Sequence, residues 1–229
     1  MGSGKIKTMT VNIEDLVIGI LGGTGDQGRG LARRFALAGQ RVILGSRSEE
    51  RAKAAAAELA GETGNVDGMT NTDTARNADL VIAAIPWEGH GELLASLAGE
   101  LSGKVVVDCV NPLAFDARGA YSLPVAEGSA AEQAAGLLPD SQVVAAFHHV
   151  SAKLLLDPEV PAMDLDVLVL GDHREATDLV QALAARIPGM RGVYAGRLRN
   201  AGQVEALTAN LVSINRRYKA HAGLRVTDI

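Results

Sequence analysis

Residues 17–30 read VIGILGGTGDQGRG. Five apolar residues, Val17–Leu21, run straight into a glycine-rich turn, and an Ala/Leu-rich helical stretch follows over 28–38. Gly23, Gly25 and Gly28 stand in the spacing G-x-G-x-x-G. The first glycine allows a tight turn and the second lets an anion approach bare backbone. The third lets the helix pack closely on the strand, with its first N–H groups facing the anion. A glycine-rich turn can also be purely structural. Its place after a first strand, before a first helix and ahead of a second strand is the context of a dinucleotide-binding unit.

Outward from this turn, short β-branched runs alternate with longer helical ones. Strands are predicted at 17–21, 41–45, 80–85, 105–110, 142–147, 167–170 and, weakly, 192–195; helices at 28–38, 49–61, 91–101, 129–138, 176–186 and 203–220. Runs such as VIGIL, LVIAAI and KVVVD are apolar throughout, as expected of strands covered on both faces. The pattern specifies an α/β, Rossmann-like, doubly wound and mainly parallel sheet with a small C-terminal α/β extension. We expect a flexible leader over 1–15, a nucleotide-binding domain over 16–153, and a small C-terminal part over 154–229. The stretch 111–127, with Pro112, Gly119 and Pro124, reads as the longest loop.

Composition agrees. The 229 residues suit one α/β domain with at most a small appendage. A net charge of −5 argues against a nucleic-acid binder, which would show a basic face. The single cysteine, Cys109, cannot form an intrachain disulfide and reads as inert core, and no Cys/His cluster has metal-ligand spacing. The apolar run 16–21 is too short for a membrane span or a signal peptide. A cytoplasmic protein without nucleic-acid or membrane partners is the expectation.

The second strand ends in Gly45-Ser46-Arg47, with Arg51 one helical turn on. An NAD site would place an Asp or Glu here for the ribose 2′-hydroxyl. A hydroxyl and two guanidiniums instead suit a 2′-phosphate, and Thr24 can add a second hydroxyl. The other role open to Arg47 and Arg51 is surface pairing with neighbouring Glu residues. The residues point to NADP rather than NAD.

Three further strand ends should face the nicotinamide: Ile85-Pro86-Trp87, Asn111-Pro112-Leu113 and 148–152, HHVSA. Trp87 either packs or stacks on the ligand. His148 and His149 are the acid/base candidates. No Lys, Asp or Tyr stands in a spacing that completes a dehydrogenase pair, so His148 is open to three roles: proton donor, ligand hydrogen-bonder or structural residue.

The segment LGGTGDQGRGLARRFALAGQRVILGSRSEERA (21–52) resembles the nucleotide-binding start of coenzyme F420-dependent NADP reductases. The likeness continues through AAIPWEGH (83–90), VDCVNPL (107–113), GSAAEQAAGLLP (128–139), VVAAFHHVSA (143–152) and LRNAGQVEALTANLVSIN (198–215). The resemblance implies hydride exchange between NADP(H) and the 5-deazaflavin coenzyme F420. It further implies that Thr24, Ser46, Arg47 and Arg51 hold the 2′-phosphate while Gly25, Asp26 and Gln27 wrap the pyrophosphate. Ile85, Pro86 and Trp87 would lie along the cofactor. His148, Val150 and Ala152 match the segment where the two rings meet, although the family often carries Pro where Ser151 stands here. Both ligands carry hydride themselves, so no dedicated nucleophile or metal is required. Lys153, Arg197 and Arg199 are either partners for the acceptor's phosphate and glutamate tail or ordinary surface charge. Helix 203–220 packs across the site or against a second subunit, and a homodimer is expected. The other readings are an NADPH-dependent reductase of a small imine or ketone, and a non-catalytic NADP sensor.

Overall fold

The computed structural model describes residues 13–229. Most of the expected leader therefore lies outside the described residues; its end, Ile13–Asp15, is a 3-10 turn. The strands are β1 (Val17–Leu21), β2 (Arg41–Ser46), β3 (Val66–Thr70), β4 (Leu80–Ala83), β5 (Val105–Asp108), β6 (Leu113–Asp116), β7 (Gly119–Ser122), β8 (Gln142–Ala145), β9 (Leu165–Gly171) and β10 (Met190–Gly196). The helices are α1 (Asp26–Leu37), α2 (Glu49–Thr63), α3 (Asn71–Asn77), α4 (His90–Ser96), α5 (Ala98–Leu101), α6 (Ala130–Leu137), α7 (Ala152–Leu156), α8 (Arg174–Ala184) and α9 (Ala201–Tyr218).

Eight strands form one sheet in the order β10-β9-β8-β5-β4-β1-β2-β3. All neighbours are parallel except β8 and β9, which pair antiparallel through Val144–Gly171 and Ala145–Leu170. This is the mainly parallel, Rossmann-like sheet expected from the sequence. Its C-terminal pair, β9 and β10, extends the same sheet.

The continuous apolar strands are buried because helices cover both faces. On one face Ile18, Ile20, Leu44 and Val107 pack against Leu31 and Phe35 of α1, Ala56 and Leu59 of α2, and Val180 and Leu183 of α8. On the other, Val81, Ala83 and Val106 meet Ala75 of α3, Leu94 of α4, Ala131 and Ala134 of α6, and Val204 of α9. Phe35 and Phe147 meet edge to face, with ring centroids 6.0 Å apart.

Three expectations need correction. The stretch 111–127 is not one loop, since β6 and β7 form an antiparallel hairpin within it. Asp116 Oδ1 accepts from the N–H groups of Arg118 and Gly119, and Gly119 takes a positive φ of 126°, which closes the turn. Between α2 and β4 the chain makes an eighth sheet strand, β3, and a short helix, α3. The helix expected at 91–101 is two, broken at Leu97.

Candidate active site

Gly22 leaves β1 with φ +67°, where a Cβ would lie 2.7 Å from the Ala84 carbonyl oxygen. Gly23 is closed in by the Leu44 side chain, and its N–H donates to Gly45 O at 2.9 Å. Gly25 differs from both: its added Cβ would meet only Gly22 O, at 3.6 Å. It is the open glycine of the turn and the N-cap of α1, and no side chain caps the helix there. The first N–H groups of a 12-residue helix are thus left without a side-chain partner beside Gly25, Asp26 and Gln27. Such an end attracts anions through its dipole and its free donors.

At the end of β2, Ser46 is buried, and its oxygen accepts from Ser48 N at 3.3 Å, which leaves its own O–H free to donate. Ser48 in turn caps α2 by accepting from Arg51 N. Glu49 pairs with Lys53 at 2.6 Å, whereas neither Arg47 nor Arg51 forms an ion pair among the described residues. Among the described residues, these guanidiniums do not adopt the surface-pair role. Both border one cavity of about 820 Å³ that also reaches Gly22, Thr24, Gly25, Asp26, Gln27 and Ser46.

The same cavity runs on to Ile85, Pro86 and Trp87 after β4, Cys109, Val110 and Asn111 after β5, and His148 after β8. Asn111 Nδ2 donates to the His148 carbonyl at 2.8 Å, and the Thr208 hydroxyl of α9 lies 3.3 Å from both Asn111 Oδ1 and that carbonyl. Helix α9 thus packs against the Asn111–His148 wall of the cavity. Gln27 Nε2 donates to Phe147 O, linking the first turn to the last strand exit.

Phe147 holds φ at +66°, unusual for a bulky residue, and the following chain turns inward. Consequently His148 is the member of 148–152 on the cavity wall. Val150 is buried in the core and Ala152 starts α7; neither borders the cavity, nor does the buried Pro112. Gly23 and Gly28 shape the turn from behind. Lys153 and Arg199 are exposed, and Arg197 donates to Asp172 O.

Burial pushes the His148 ring down to about 4, so it is neutral near pH 7, and both its nitrogens are buried without a partner. Burial also keeps the Cys109 thiol protonated; Sγ donates to Ala83 O at 3.1 Å, as expected of inert core. Beneath the wall, His90 is bound to Asp108, and Glu205 of α9 accepts from Ala130 N and Ala131 N at the start of α6. Burial raises the Glu205 carboxyl to about 7 against the pull of those two donors.

Sequence reasoning missed Asn71, His90, Asp108, Glu205 and Thr208. Asn71 lies on the cavity wall, and its Oδ1 accepts from Gly22 N at 3.4 Å. Its signal was legible in Thr70-x-x-Asp73, where the Thr70 hydroxyl caps α3 by accepting from Asp73 N.

The open Gly25, the uncapped helix end, the unpaired Arg47 and Arg51 and the orphaned His148 ring all border one cavity. That set fits a dinucleotide with an extra phosphate at one end and a polar ring at the other.

Comparison with known proteins agrees with this geometry. Residues 17–112 match the family described as NADP oxidoreductase, coenzyme F420-dependent. The chain is 39% identical to the F420-dependent NADP reductase of Methanothermobacter thermautotrophicus over 96% of its own length and 98% of that protein. It is 38% identical to the enzyme of the same name from Methanocaldococcus jannaschii, over 93% of its own length and 98% of that protein. The crystal structure of a putative F420-dependent NADP-reductase from Arthrobacter sp. FB24 superposes with a TM-score of 0.80 at 27% identity, covering 93% of this chain and all of that one. The chain belongs to the F420-dependent NADP reductase family.

Proposed function

We infer that this chain is an oxidoreductase that transfers a hydride between NADP(H) and coenzyme F420. The observation that carries the reading is one cavity that joins an uncapped helix end and two arginines without an ion pair among the described residues to three strand ends. When bound, the nicotinamide and deazaflavin rings supply the hydride chemistry themselves, one hydride and one proton being taken up by F420 for each NADPH oxidised.

The residues of the chain bind, orient and shield. Thr24, Ser46, Arg47 and Arg51 hold the 2′-phosphate, and Gly25, Asp26 and Gln27 offer backbone to the pyrophosphate. Ile85, Pro86 and Trp87 flank the nicotinamide end. Asn111 and Thr208 fix the His148 backbone, so that the neutral His148 ring can hydrogen-bond a ring substituent. Val150 supports that wall from the core. Residues 154–229 complete the acceptor side by laying α9 across it. Holding two rings at reacting distance can supply much of the barrier reduction, so no nucleophile is needed.

A cytoplasmic homodimer is part of the same reading. Phe115 and Tyr121 of the hairpin and Ile214 and Tyr218 of α9 are exposed, and they offer apolar surface to a second copy. Among the described residues, no helix is long and apolar enough to cross a membrane.

Mixing the purified protein with NADPH and oxidised F420 tests the reading. Loss of the oxidised deazaflavin absorbance at a rate proportional to enzyme is expected; its absence would sink the assignment.

A further inference from the structure

Two walls of the cavity are tied together by a pair of residues that do not touch it. The Trp87 and His90 rings lie 5.5 Å apart between centroids, with planes 34° apart. His90 is fully buried at the start of α4. Its Nε2 lies 2.6 Å from Asp108 Oδ2, and its Nδ1 lies 2.9 Å from Gln133 Oε1. The Gln133 amide is oriented by its own Nε2, which donates to Glu127 Oε1. Both ring nitrogens therefore face acceptors, which is the pattern of an imidazolium. The second oxygen of Asp108 accepts from Val110 N at 2.9 Å. One buried unit thus links Trp87, on the exit of β4, to Val110 and Asn111, on the exit of β5.

We propose that His90 is a positioning residue for hydride transfer: as an imidazolium clasped by Asp108, it holds the Trp87 wall and the Val110–Asn111 wall of the cavity at a fixed separation. The proposal rests on the reading that the nicotinamide end lies between those walls. Neither His90 nor Asp108 borders the cavity, so each acts only through the residue it holds.

The surroundings suit a persistent charge. Asp108 of β5 and Glu205 of α9 are the titratable groups that act on His90 from the packed elements, and Gln133 of α6 is neutral. Burial opposes the charge, yet Asp108, with help from Gln133 and Glu205, outweighs it and holds the imidazole above its ordinary range.

The test uses the fact that Trp87 is the chain's one tryptophan. A protonated imidazole in contact with an indole quenches its emission, and a neutral one does so far less. In the full, ligand-free chain, Trp87 emission should brighten only above the ordinary histidine value of about 6.5. Asp108→Asn should move that transition below it, and His90→Gln should abolish it.

In steady-state kinetics, His90→Gln should lower kcat by about tenfold or more, since small displacements of reacting groups are costly, while the KM for NADPH changes less than about twofold. Should His90→Gln fail to fold, the wild-type and Asp108→Asn emission titrations and the Asp108→Asn kinetics carry the test. Emission without a His90-dependent transition overturns the proposal. So does an unchanged kcat in either variant of an active enzyme. A wild-type protein that shows the emission transition but does not reduce F420 overturns the functional reading instead, and with it the role in hydride transfer, while leaving the clasp itself established.

Discussion

Gly28 rests directly on Gly23: a Cβ built on Gly28 would lie 2.7 Å from Gly23 Cα and 3.1 Å from Gly22 O. Both obstacles are backbone, and both belong to the turn that carries the open Gly25. The third glycine of the motif is thus a spacer between helix and strand, while the second is the open one.

Gly28→Ala must push α1 away from the turn. We expect a loss of about 1–3 kcal/mol in unfolding free energy, the usual range for overpacking. NADP affinity should fall as well, since the first N–H groups of α1 move with the helix. Denaturant unfolding and NADP titration measure the two effects. A fully stable variant with unchanged affinity would mean that the contact relaxes at no cost.

Arg47 and Arg51 have no competing partner among the described residues, so removing either costs no internal ion pair. Arg47→Ala and Arg51→Ala should each weaken NADP binding by about 1.5–3 kcal/mol, the range for charge-assisted hydrogen bonds. NAD binding should be spared. Ser46→Glu should narrow the NADP/NAD preference by repelling the 2′-phosphate. Calorimetric titration with both dinucleotides checks this. Equal losses for NADP and NAD would place the 2′-phosphate elsewhere.

These two ends of the site were legible because local rules govern them. The first strand, turn and helix form a contiguous signal, and the identities of Ser46 and Arg47 at a strand end carry their own chemistry. Strand β3 was missed because VDGMT is half exposed and has a glycine at its centre, where Ala52 backbone would lie 2.3 Å from a Cβ. The antiparallel step from β8 to β9 is invisible to periodicity, which carries no strand direction. His90, Asp108, Glu205 and Thr208 come from three separate elements of the chain, α4, β5 and α9, and nothing in their own segments announces that these elements meet. The inward turn at Phe147 likewise decides that His148 borders the cavity and Val150 does not, and no pattern in HHVSA shows it.

Glu205 gives stability a pH dependence of definite sign. Its carboxyl is raised from the ordinary 4.5 to about 7 in the folded chain, so between those values the folded state binds more protons than the unfolded one. Its contribution is therefore largest below about 4.5 and is lost as pH rises through 7. In Glu205→Gln that loss should vanish, even though one donor at the start of α6 loses its acceptor. Unfolding free energies of the two proteins from pH 4.5 to 8 should converge as pH rises. A constant difference across the range would show that Glu205 does not titrate there.

His148 should behave in the opposite sense. Its folded-state value of about 4 lies below the ordinary 6.5, so the folded chain binds fewer protons than the unfolded chain between them. Stability present above 6.5 is lost as pH falls toward 4, and His148→Ala should reduce that acid loss. His149, buried without a partner and also pushed down to about 4, keeps the remainder. In catalysis a neutral, buried ring can orient a ligand but is a poor proton donor near pH 7. The kcat profile of the wild type should therefore show no break near 6.5. His148→Ala should slow turnover by less than about a hundredfold, below most of the range removed with a working general acid. Stopped-flow reduction of F420 by NADPH over pH 5–9 measures both. A break near 6.5 that disappears in His148→Ala, together with a loss of about four orders of magnitude, would make the ring a proton relay.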